Sequence, residues 1–178
     1  MRIARREFLA VCAVGVQVRA GCPDAASLID LGSGCLLPES LAGFRSVMAG
    51  SNIPRGLVIP GAGMLSERMA GMMQQRLRSG GSVLLESAIG LTRRGIASPY
   101  FPYVEFTWPV RAQIREFYPL PLAPRTGDAV IATFARQPVA LRRGRLILLG
   151  SPVGSALLAG DPDARRWVAS ILRWMHTQ

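Results

Sequence analysis

The sequence predicts a three-layer α/β domain built on a mostly parallel sheet. Three observations carry that prediction. Short, almost wholly apolar runs at 57–59, 82–86 and 145–149 have the character of strands buried on both faces. Stretches with apolar residues at helical spacing separate several of these runs, and glycines punctuate the junctions. At 178 residues, 49% hydrophobic and 18% charged, the chain can bury a full core, which excludes a disordered polymer. No run of 18 or more apolar residues occurs, so a membrane-spanning helix is not expected.

The first twenty residues read differently from the rest. Arg5-Arg6-Glu7-Phe8-Leu9 resembles a twin-arginine export signal, an apolar stretch from Leu9 to Val18 follows, and Val18-Arg19-Ala20 has a small-residue cleavage pattern. The expectation is a leader over 1–20 followed by one domain over 21–178, exported to the periplasm. The alternative is an ordinary first strand with a basic start and a cytoplasmic protein. Ala20-Gly21-Cys22 also resembles the end of a lipoprotein box, although Arg19 stands where an aliphatic residue belongs. Membrane attachment would require lipidation of Cys22. Cys12 would leave with the leader, and Cys22 and Cys35 could pair in an oxidising compartment, with Cys35 otherwise a small buried hydrophobe. Two cysteines thirteen positions apart with no histidine nearby make no metal site.

The remaining elements follow in order. A strand is expected at 27–31, then a helix at 38–49 with proline in its first turn and Leu41, Phe44 and Met48 on one face. The strand 57–59 enters a tight Pro60-Gly61-Ala62-Gly63 loop. Ser66 caps a helix through about Ser79, whose Met69, Met72, Met73 and Leu77 form a core stripe, and Gly80-Gly81 ends it. The strand 82–86 comes next. A Pro- and aromatic-rich insertion at about 98–124 holds an alternating segment from Tyr103 to Trp108 and a short helix after Pro109. Strands are expected at 128–134, 138–141 and 145–149, the last two joined through Arg143-Gly144. A helix opening at Asp161-Pro162 closes the chain, with Ala164, Val168, Ile171, Leu172 and Met175 on its apolar face.

The net charge of +10 comes entirely from arginine, with no lysine. Loss of the leader would remove Arg2, Arg5, Arg6, Arg19 and Glu7 and lower the charge to +7. The remaining arginines are scattered rather than interleaved with aromatics. A solvated surface is therefore the simpler reading, and nucleic acid is not an expected partner.

Three segments in order resemble the class I glutamine amidotransferase superfamily, especially its biotin-protein-ligase N-terminal-like branch, and so imply a flavodoxin-like sheet. Gly56-Leu57-Val58-Ile59-Pro60-Gly61-Ala62-Gly63 is similar to the strand and loop whose amides help form the family's oxyanion site. Leu77 to Ala88, through Gly80-Gly81, is similar to the helix, strand and elbow that carry the cysteine nucleophile, a position occupied here by Ser87. Gly150-Ser151-Pro152-Val153 is similar to the late turn bearing a His-Pro-Glu triplet, with Ser151 and Val153 at the histidine and glutamate positions. The resemblance thus implies an amidotransferase framework without its cysteine, histidine and glutamate.

A serine hydroxyl is negligibly ionised near neutral pH and needs an adjacent base, so glutaminase chemistry is not expected. The only histidine, His176, stands three residues from the C-terminus, away from these motifs. The elbow still places Ser87 and Ala88 at the sheet's C-terminal edge, facing Gly61, Ala62 and Gly63, with Ser151 nearby. Doubly wound folds bind ligands at that edge. Glu86 is the conspicuous carboxylate, either a base or ligand contact there or the partner of Arg93 or Arg94. The Gly-Ala-Gly run lacks the third glycine of a dinucleotide fingerprint, and no cofactor or metal is expected. The leading reading is a non-catalytic module of the cell envelope that binds a small molecule or an envelope protein. Two others stand beside it: a hydrolase using Ser87 with Glu86 or with a base from the insertion, and an arginine-driven anion binder. The aromatics Tyr100, Phe101, Tyr103, Phe106 and Trp108 would pack in the core or over the site, or on a partner.

Overall fold

A computed structural model of the chain describes residues 27–28, 37–49, 56–88, 103–116 and 119–178. The leader at 1–20, the three cysteines, Arg93, Arg94, Tyr100 and Phe101 lie outside the described residues. In chain order the elements are β1 Ser27–Leu28, α1 Pro38–Met48, β2 Gly56–Ala62, α2 Glu67–Arg78, β3 Ser82–Ser87, β4 Tyr103–Phe106 and β5 Ala112–Arg115. There follow β6 Ala129–Phe134, β7 Gln137–Arg143, β8 Leu146–Leu149, α3 Val153–Leu158 and α4 Pro162–His176.

The strands form one eight-stranded sheet in the order β1-β2-β3-β8-β7-β6-β4-β5. It is mixed, and this corrects the expected mostly parallel sheet. The pairs β1–β2, β2–β3 and β3–β8 are parallel. Those from β8 through β7, β6 and β4 to β5 are antiparallel. Connection length is the reason, because a parallel pair needs a crossover of a dozen or more residues whereas two residues suffice for a hairpin. Ala135 and Arg136 alone join β6 to β7, at φ of 47° and 66°, the left-handed pair that a tight hairpin turn demands. Gly144, at φ 54°, makes the next reversal.

Helices pack on both faces of the sheet. Leu57, Ile59, Val83, Leu85 and Met69 and Met73 of α2 form one core. Val58, Leu84, Ile147 and Leu149 point the other way, into a larger core with Phe44 of α1, Val153 and Leu157 of α3, and the inner face of α4. This period-two division explains why β2, β3 and β8 are apolar almost throughout. The methionine stripe of α2 is core packing, as its spacing predicts. Ser66 Oγ accepts from Met69 N at 3.3 Å to start that helix. Asp161 Oδ1 starts α4 by accepting from Asp163 N at 2.8 Å and Ala164 N at 2.9 Å, with Pro162 at the first helical position.

The segment after Pro109 is strand β5 and not a short helix. Ala112 and Ile114 are buried while Gln113 and Arg115 are exposed, a period of two that β4 completes by pairing with it antiparallel. The insertion's described aromatics mostly enter the core. Phe106 packs against Trp167 with ring centroids 4.4 Å apart, Trp108 meets Trp174 edge-on at 5.0 Å, and Trp167 Nε1 donates to Trp108 O at 2.8 Å. Helix α3 has no counterpart in the sequence expectations. It lies so close to α1 that a Cβ on Gly43 would stand 1.9 Å from Gly154 O, and one on Gly154 would stand 2.4 Å from Ser40 Cα.

Candidate functional site

Glu86 is the penultimate residue of β3 and shares the sheet face of Leu84, toward α1 and α3. Its side chain is 0% exposed. Gly154 N, in the first turn of α3, donates to Oε1 at 2.6 Å, and Gly61 N, near the end of β2, donates to Oε2 at 2.8 Å. One carboxyl group therefore ties the ends of two parallel strands to a helix start. Burial pushes it up to about 7 from 4.5, opposed by the two amides and by nearby Ser40 Oγ. Ser40 lies close enough to favour the charged form, yet its hydroxyl makes no hydrogen bond of ordinary geometry. The alternative reading of Glu86 as the partner of Arg93 or Arg94 falls on arginines outside the described residues, and the partners seen are backbone amides.

The other predicted positions divide around this tie. Gly61 is at φ 58°, and its amide is turned to Glu86. Ala62 pairs with Ser87 across β2 and β3, and Ala88 N donates to Ala62 O at 2.8 Å. Gly63 and Ala88 are buried and Ser87 is half-buried. As the residue after Glu86 in a continuous strand, Ser87 belongs to the opposite sheet face, that of Val83 and Leu85 against α2. Ser151, at the end of β8, is buried beside Glu116, and Val153 opens α3 within the core. His176 is exposed at the last turn of α4.

Glu116, just past β5, was not singled out from the sequence. It is 2% exposed, and neither carboxyl oxygen has a hydrogen-bond partner. Burial raises its pKa well above the ordinary carboxylate value; Ser151 opposes this, while the charges of Glu86 and Asp161 add to it. A signal was present. Glu116 continues the even-numbered register of Ala112 and Ile114, so the alternation itself places a carboxylate on the inward face. Glu116 also lines a cleft of about 820 Å³ bounded by Tyr103 and Arg115 on one side and by Pro152, Ser155 and Asp161 on the other. Ser87, Ala88 and residues 61–63 do not line it. Among the described residues no group of three or more His, Cys, Asp and Glu side chains is arranged to hold a metal ion.

No family model matches the chain, and no curated protein matches it significantly. Solved structures do. A glutamine amidotransferase crystal structure superposes with a TM-score of 0.55 at 14% identity, over 84% of this chain and 99% of that one. The fold is glutamine amidotransferase-like. Alpha-L-fucosidase isoenzyme 2 from Paenibacillus thiaminolyticus superposes with a TM-score of 0.54 at 13% identity, over 85% of this chain and 33% of its own length. The same framework therefore forms one part of a larger protein there. At these identities the likeness is one of fold, and function must come from the site.

Proposed function

We propose that this chain is a non-catalytic, amidotransferase-like binding module, exported to the cell envelope, in the mould of the biotin-protein-ligase N-terminal-like branch. The observation that carries the reading is the geometry at the end of β3. Ser87 holds the position that the sequence resemblance gives to the nucleophile, and the carboxylate next to it in sequence faces the other side of the sheet, with both oxygens already accepting backbone amides. A base must reach the proton that it abstracts, and Glu86 is held away from Ser87. Glu116 and Asp161 act on Glu86's side of the sheet, away from the face of Ser87. The chain's one histidine is exposed at the far end of α4. What remains of the ancestral site is a rigid junction of β2, β3 and α3 beside a cleft, which suits binding better than turnover.

Two experiments test the two halves of the proposal. Folded protein treated with a fluorophosphonate probe is expected to leave Ser87 unlabelled and to hydrolyse neither glutamine nor simple esters. Turnover that disappears in Ser87→Ala would replace this reading with the hydrolase. For export, residues 1–30 fused to a reporter are expected to carry it across the inner membrane in a manner lost on replacing Arg5 and Arg6 by lysine. Retention of the unaltered fusion in the cytoplasm would remove the envelope from the proposal. Among the described residues, no helix is long and apolar enough to cross a membrane.

A further inference from the structure

Around the cleft, four buried polar atoms make no hydrogen bond of ordinary geometry: both carboxyl oxygens of Glu116 and the hydroxyls of Ser40 and Ser151. All belong to residues at most 2% exposed, with Ser40 beside Glu86 and Ser151 beside Glu116. Buried polar groups are nearly always satisfied, so a buried acid that lines a cleft beside the Ser151 hydroxyl, with neither oxygen engaged in ordinary geometry, points to an occupant. Resting on the reading of this domain as a binding module, we propose that Glu116 and Ser151 form the subsite for a primary ammonium group of a small-molecule ligand that enters by the cleft.

The occupant's chemistry follows from what the site offers. The charges of Glu86 and Asp161 both act on the buried Glu116. Glu86 already holds two amides, and Asp161 Oδ1 holds the start of α4. The unmatched capacity lies on Glu116, whose burial favours the protonated form. An ammonium group supplies a positive charge together with three donors, matching the two carboxyl oxygens and the Ser151 hydroxyl oxygen. The other charged groups around the cleft are otherwise engaged. Arg115 Nε donates to Tyr103 Oη at 2.9 Å, its guanidinium lying over that ring. Asp163 accepts from Gln113 N at 2.8 Å and pairs with Arg166 at 3.0 Å. A neutral alcohol of the same shape would bring one donor and no charge, and a carboxylate ligand would be repelled by Glu86 and Asp161.

Amide-resolved NMR titration of the full-length chain with n-butylamine, against n-butanol, tests the assignment. Saturable shifts are expected at Glu116, Ser151 and Gly154 with the amine and not with the alcohol. Binding should tighten as pH rises, as long as the amine stays charged, because the ligand displaces the Glu116 proton whose loss burial disfavours. Glu116→Gln keeps the shape and is expected to weaken the amine about tenfold or more, and Ser151→Ala several-fold. Unchanged melting temperatures separate these effects from unfolding. Equal binding of alcohol and amine, or equal amine binding by Glu116→Gln, overturns the assignment, as does absence of saturation in wild type. The fluorophosphonate result is independent of it: labelled Ser87 with a bound amine sinks the non-catalytic reading alone, and inert Ser87 with no amine bound sinks the subsite alone.

Discussion

The sharpest consequence of the buried carboxyl cluster is a stability that falls as the solution becomes less acid. In the unfolded chain Glu86 ionises near 4.5, whereas in the fold it holds its proton to about 7. Between those values the folded state binds more protons than the unfolded state, so each rise in pH favours unfolding. The contribution is complete below the unfolded value and is lost once pH passes the folded one. At 1.36 kcal/mol per unit, the interval corresponds to about 3 kcal/mol from Glu86 alone. Glu116, raised for the same reason, acts in the same direction. Asp128 works in the opposite sense but outside the window. Arg143 and the Arg125 amide hold it at about 2 against 3.8, so its contribution is lost only as pH falls through that lower range. Urea unfolding at about pH 5 and about pH 8 reads the difference directly. Wild type should be less stable at the higher pH by about 3 kcal/mol or more. Glu86→Gln should lose stability at both, because its amide cannot accept from both Gly61 N and Gly154 N, yet show a shallower pH slope. Adding Glu116→Gln should flatten the curve further. A wild-type stability that is level or rising across this range would refute the argument, as would a slope that the two substitutions leave unchanged.

Three other perturbations probe the frame around the cluster. Gly43→Ala and Gly154→Ala each force a methyl into the α1–α3 contact and should lower stability by about 2 kcal/mol or more, with Gly154→Ala also disturbing the amide on Glu86; a loss well under 1 kcal/mol in urea titration would show that the helices part easily. Asp161→Ala removes the acceptor of two backbone N–H hydrogen bonds at the start of α4 and should destabilise by about 1 kcal/mol, read as a shift in the urea midpoint with an unchanged slope. Trp167→Ala should cost about 3–5 kcal/mol, because its fully buried ring joins α4 to Phe106 and to the Trp108 carbonyl, and a near-native melting temperature would contradict that placement.

The elements that local chemistry governs were legible. Capping by Ser66 and Asp161, the glycine stop at Gly80, the apolar strands 57–59, 82–86 and 145–149 and the period-two segment after Tyr103 all act through residues a few positions apart. The order of the Gly-Gly, strand and Gly-Ser-Pro segments likewise pointed to the amidotransferase-like fold. The parallel-to-antiparallel change across β8 was half visible, in hairpin links too short to cross over. Helix α3 was not legible, because six residues of small and apolar type show no periodicity of their own and become a helix by packing on α1.

The site divides along the same line. By itself, the sequence determined which side chains stand in these segments: Ser87 with the Glu86 carboxylate beside it at the end of one apolar strand, and Ser151 and Val153 just after another. Only the tertiary structure decided what Glu86 does. Its acceptors find donors 25 and 68 residues away, on β2 and α3, and an alternating strand sends it and Ser87 to opposite faces. The same holds for Glu116, whose burial and whose neighbours Ser151 and Asp161 come from segments far apart in the chain. Whether a carboxyl group is an ordinary surface charge or a buried, protonated acid depends on the dielectric and the partners around it. Those are properties of packed space, which no local run of residues contains.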